Sequence, residues 1–164
     1  MDQATVKNQL AQWLIDFVEK PNSLLGDWPP CPYARAARIN NKIEICFAEP
    51  TELFLTVTKK LPLLETYDVV VICFDHTKIT SGNLQQWVEA TNQQLLPTNY
   101  VILEDHPDSA EIVNGVCMNF GHCGLLVVQK LDKLNSAADQ LRTKDYYNHW
   151  SQQDLDSVVS WRYI

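Results

Sequence analysis

Apolar positions recur at helical spacing through Val6, Leu10, Trp13, Leu14, Phe17 and Val18, which predicts a helix over residues 3–19 that Pro21 stops. A turn-rich stretch from Pro21 to Pro32 follows. Residues 33–38, with Ala-Arg-Ala-Ala-Arg at their centre, favour helix. Ile43, Ile45 and Phe47 alternate with Glu44 and Cys46 and predict a strand. Pro50 marks a helix start, and Leu53, Phe54, Val57, Leu61 and Leu64 carry its apolar face, ended or bent at Pro62. The unbroken apolar run before and including Phe74 has the look of a strand covered on both faces. Ser81 is the expected cap of a helix with its stripe on Leu84, Trp87, Val88, Thr91 and Leu95, closed by Pro97. Tyr100 to Leu103 and Leu125 to Val128 predict two further strands, separated by an aperiodic loop over 105–123. Leu131, Leu134, Ala138 and Leu141 make one more helical stripe.

Strands that alternate with helices imply parallel pairing through right-handed crossovers. The expected fold is α/β: a mixed, mostly parallel four-stranded sheet flanked by helices, in one domain over 1–164. The last two strands lack an intervening helix, which allows an antiparallel pair. Residues 145–164 form an aromatic-rich tail, expected to pack on the domain.

Composition narrows the classes. A length of 164 residues with 46% hydrophobic residues can bury one sizeable core. A net charge of −7 argues against general nucleic-acid binding and docking to anionic lipid. Five cysteines is an odd set, and Cys46 and Cys73 lie in strand-like runs, so a reducing, cytoplasmic setting is expected rather than a disulfide scaffold. Met1-Asp2-Gln3 starts no signal-peptide pattern, and no run is long and apolar enough for a membrane span. No P-loop, dinucleotide fingerprint or Gly-x-Ser-x-Gly elbow is present.

Two irregular segments hold the candidate chemistry. If Pro32 opens a helix, Cys31 lies at its N-terminus, where backbone N–H groups favour a thiolate. Arg35 and Arg38 on the same helix add positive charge and suit an anionic group. The plainer alternative packs Cys31 under Trp28 and the prolines, with the arginines paired to surface carboxylates. In the 105–123 loop, His106-Pro107-Asp108 offers a His held by Asp108 as general base or acid. It also offers part of a His-x-Asp iron triad completed by His122, although that arrangement belongs to all-β folds. The alternative is a turn after the third strand. A zinc site on Cys117, His122 and Cys123 is disfavoured, because adjacent His and Cys ligands strain a tetrahedral site. Asp75-His76 reads as a solvated strand end and His149 as a packing residue. No metal and no cofactor is expected.

Cys31-Pro32-Tyr33-Ala34 after an amphipathic helix, and His106-Pro107-Asp108 after a strand, lead into Asn114 to His122 and an apolar strand. In this order they resemble the Cys-Pro-Phe-Ala and His-Pro-Asp-Tyr elements of an uncharacterised bacterial family, the domain of unknown function 1415 type. Ser109 replaces that family's aromatic residue, and Asn119-Phe120-Gly121-His122 replaces its Arg-Ser-Pro-Tyr portion. The resemblance implies that Cys31, His106, Asp108, Asn114 and Asn119 converge on one pocket, and it carries no reaction. The expectation is a small enzyme or a binding domain for a small anionic ligand, with its pocket between the Cys31–Arg38 helix and the 105–123 loop. Cys31, His106 and Asp108 are the catalytic candidates. Arg35, Arg38, Asn114, Asn119 and His122 are the binding candidates. The alternatives are an interaction protein, or a homo-oligomer, that uses the aromatic tail, and a metal-binding protein.

Overall fold

Each long apolar run becomes an element around one four-stranded sheet. The structure is a computed structural model and describes residues 1–163. Helix α1 (Gln3–Trp13) is capped by Asp2, whose carboxylate accepts from the Thr5 amide, and it widens into a π turn over Leu14–Val18. Helix α2 (Ala34–Ile39) begins beyond Pro32, with Tyr33 as its cap. Strand β1 (Ile43–Phe47), helix α3 (Leu53–Lys60) and strand β2 (Val69–Phe74) follow. Helix α4 (Ser81–Leu95) is capped by Thr80, one residue before the expected cap. Strand β3 (Tyr100–Asp105) extends two residues past the expected end at Leu103. Pro62 and Pro97 each sit at the start of a 3-10 turn that closes the helix before it.

The 105–123 segment is not aperiodic. It contains a two-stranded hairpin, β4 (Ile112–Val113) and β5 (Val116–Cys117). Its turn is Asn114-Gly115, with φ of 47° and 81°. Both residues are left-handed, as a type I′ turn requires, and Asn-Gly is the dipeptide that tolerates this best. The chain then enters strand β6 (Gly124–Lys130), helix α5 (Leu131–Arg142) and the short helix α6 (Gln152–Val158).

The sheet order is β1-β2-β6-β3. Only β1 and β2 pair in parallel; β6 runs antiparallel to both β2 and β3. The mostly parallel expectation is therefore corrected. No helix carries the chain from β3 to β6, so β6 returns in the opposite direction and inserts between two strands that point the same way. That insertion demands Gly124: a Cβ there would lie 2.2 Å from the Phe74 ring.

Helices α3 and α4 cover one face, burying Leu53, Val57, Leu84 and Val88 against Val70, Ile72, Phe74, Ile102, Leu126 and Val128. Val6 and Leu10 of α1, with Phe120, cover the other face over Val71, Cys73 and Leu125. The hairpin packs Val113 and Val116 with Leu25, Met118 and Trp150 in a third cluster. No helix among the described residues is long and apolar enough to cross a membrane.

Candidate functional site

Two of the eight sequence-derived candidates line the cleft between α4, β3 and α6, and six do not. Cys31 lies on the approach to α2, its amide donating to the Val18 carbonyl at 3.0 Å. Burial pushes its thiol up, against a smaller opposite pull from the Tyr33 and Ala34 amides. That shift favours the thiol over the thiolate. Arg38 is committed to Glu19 through two bonds of 2.6 and 2.9 Å, a bidentate pair. Arg35 is exposed. The Asn114 amide donates to the Leu24 carbonyl at 2.6 Å, tying the hairpin turn to the early loop. His122 is exposed, its ring centroid 5.0 Å from that of Phe120. Cys123 is 1% exposed, in the core beneath α1, while Cys117 is on the surface. Among the described residues, no group of three His, Cys, Asp or Glu side chains is placed to hold a metal ion.

His106 is 3% exposed and fully used. One ring nitrogen, Nε2, lies 2.8 Å from the Ile79 carbonyl, and the other, Nδ1, accepts the Asp108 amide at 3.1 Å. Both ring nitrogens are therefore engaged within the protein, with Nδ1 as acceptor. The Ser109 amide donates to the His106 carbonyl at 2.9 Å, closing a turn with Pro107 at its second position. Asp108 contributes its amide, and its side chain is at the exposed tip.

Asn119 is the hub of the loop. Its amide nitrogen donates to Asp105 at 2.7 Å and to the Ser109 carbonyl at 3.1 Å. Its oxygen accepts the Glu111 amide at 2.8 Å and the Cys117 thiol at 3.4 Å. The second Asp105 oxygen accepts the Phe120 amide at 2.8 Å. Burial raises the Asp105 carboxyl, and the bonds from Phe120 and Asn119 oppose that rise. The loop is thus held shut on itself, with its polar groups turned inward.

The cleft opens beside this loop. It measures about 960 Å³ and runs between α4, β3, the 106–113 segment and α6. Its walls carry Glu89, Glu104, Asp105, Glu111, Asp154 and Asp156, and no lysine or arginine. Four of the six accept local hydrogen bonds: Asp105 as above, Asp154 in the capping box with Ser151, Glu89 from the Gln85 side chain at 3.0 Å, and Asp156 from the Gln152 side chain at 2.7 Å. Glu104 is different. Its Oε2 is buried and has no hydrogen-bond partner among the described residues. Burial, reinforced by Glu89 and Glu111, pushes its carboxyl up to about 7. Burial also raises Glu111, with Asp105 and Asp154 adding to the effect. An unpaired buried acceptor costs on the order of 1 to 3 kcal/mol, so Glu104 is primed for a donor. Ser81, Ser109 and Ser157 share the walls. Among the described residues, none of their hydroxyls is bonded to a basic side chain, so the cleft shows no activated nucleophile.

Sequence reasoning missed Glu104, Glu111 and Glu89. The signal for Glu104 was available: it follows Tyr100 and Ile102 at the two-residue spacing of one strand face. That puts a carboxylate in the register of core residues. No family model, no curated protein and no solved structure matches this chain.

Proposed function

We propose that this protein binds a cationic group, an ammonium or a guanidinium, in the cleft between α4, β3 and α6. The observation that carries the reading is the Glu104 carboxyl, with a buried, unpartnered oxygen on a wall that holds five other acids and no lysine or arginine. A cationic donor gives Glu104 its missing bond and offsets the burial, and the lesser repulsion from Glu89 and Glu111, that favour its protonated form. The expected anionic ligand does not suit this cleft. Arg35 and Arg38 are not on its walls, and the field there has the opposite sign. The family resemblance suggests no ligand of either sign.

Calorimetric titration of the protein with butylammonium, and with butyrate as control, tests the proposal at pH 8 and low salt. Butylammonium should bind and butyrate should not. Glu104→Gln should weaken butylammonium about ten-fold, the lower bound for a charge-assisted hydrogen bond. Glu104 must lose its proton to receive the cation, so affinity should fall on acidification below about 7. Equal affinity in Glu104→Gln would remove the proposal.

A further inference from the structure

Strand β3 is an edge of the sheet, paired only with β6. Its free side is closed at one residue and open at another. The Asn92 side chain, from α4, donates to the Ile102 carbonyl at 2.9 Å and accepts the Ile102 amide at 2.9 Å. Asn92 is 4% exposed, so an amide side chain takes the place of a neighbouring strand there. Because both main-chain groups of Ile102 point away from β6, strand alternation turns those of Val101, Leu103 and Asp105 toward β6. The main chain of Glu104 therefore faces outward, like that of Ile102. Among the described residues nothing outside the sheet bonds to it. Beyond Asp105 the chain turns at His106. Of the outward-facing positions, Glu104 is the open one on the wall of the acidic cleft.

One residue of an extended chain can fill such a gap. Placed antiparallel and opposite Glu104, it exchanges both N–H···O bonds, and its side chain projects on the same face as that of Glu104. The charge of the walls dictates which side chain that is. With Glu89, Glu104 and Glu111 around it and no cation on the walls, a lysine or arginine fits and an acid is repelled. The net charge of −7 makes a second copy of this chain a poor occupant. A cleft of about 960 Å³ is at the upper end of ligand cavities.

We infer that the ligand is a short extended peptide that adds to the free edge of β3 at Glu104, with a lysine or arginine side chain opposite the Glu104 carboxylate. This rests on the cation-binding reading above and adds the backbone as a second recognition element.

Four probes separate the two claims: acetyl-Thr-Val-Lys-Val-Thr-amide, the same peptide N-methylated at the lysine nitrogen, the same peptide with norleucine for lysine, and butylammonium. Affinities are read by calorimetry, and the Glu104 amide by hydrogen exchange. The parent peptide should bind at least about ten-fold more tightly than butylammonium. N-methylation and norleucine should each weaken it about ten-fold. Exchange at the Glu104 amide should slow with the parent peptide and not with the N-methylated one. Butylammonium binding beside an N-methylated peptide as tight as its parent, or beside a peptide that does not bind, overturns the edge inference and leaves cation binding intact. Failure of both butylammonium and the parent peptide removes both claims.

Discussion

Glu104 and Asp105 are adjacent acids on one strand with opposite fates. The two-residue period of the strand sends Asp105 to the loop side, where both its oxygens are bonded, and Glu104 to the helix side. The same contrast separates His106 from the role its sequence suggested: one ring nitrogen holds the turn that starts the loop, and the other ties that turn to the Ile79 carbonyl. Asn119 makes the loop a single cooperative unit. Asn119→Ala removes its bonds to Asp105, Ser109 and Glu111 together and strips Asp105 of one of its two donors. The expected loss is about 2 to 4 kcal/mol in urea unfolding. A loss under about 0.5 kcal/mol would place Asn119 with ordinary surface residues.

At the level of elements, the C-terminal segment is part of the fold and one wall of the cleft. Tyr146 is 5% exposed, its ring edge-on to Trp28, and its hydroxyl donates to the Pro30 carbonyl. The Trp28 indole donates to Asp145 at 2.7 Å, and the His149 ring sits over Gly26, where a Cβ would be 2.4 Å away. Tyr146→Ala should therefore cost about 3 to 5 kcal/mol, as large aromatic truncations in cores do. Unchanged urea midpoints would show that the segment is merely draped on the surface. The helices and strands were mostly legible in their periodicity, within a residue or two at the ends. The β4–β5 hairpin was legible too, in Asn114-Gly115 between Ile112-Val113 and Val116, but long polar flanks masked a pair of strands only two residues each. The direction of β6 was not legible, because an apolar run reads the same both ways. Its place between β2 and β3 depends on Gly124 yielding to Phe74, a contact across the sheet.

Over the whole molecule, the acidity visible in the composition is focused. Six carboxylates line one cleft, while Arg38 is neutralised by Glu19 across the end of α1. Two of the residues that the sequence singled out, His106 and Asn119, line this cleft, and their hydrogen bonds brace its wall. The side chain that faces the ligand space stood one residue beyond the expected end of β3. Tertiary placement decided the rest: α6 arrives from the far end of the chain, and its Asp154 could be set against Glu111 only by the folded structure. The central claim is that Glu104 is a carboxyl held near neutrality for want of a cation. Titration of its side-chain carbon by 13C NMR, alone and with saturating butylammonium, measures this directly. The midpoint should be about 7 in the free protein, and bound amine should lower it by about one unit or more. A midpoint in the ordinary carboxylate range, or one that the amine leaves in place, would contradict the account.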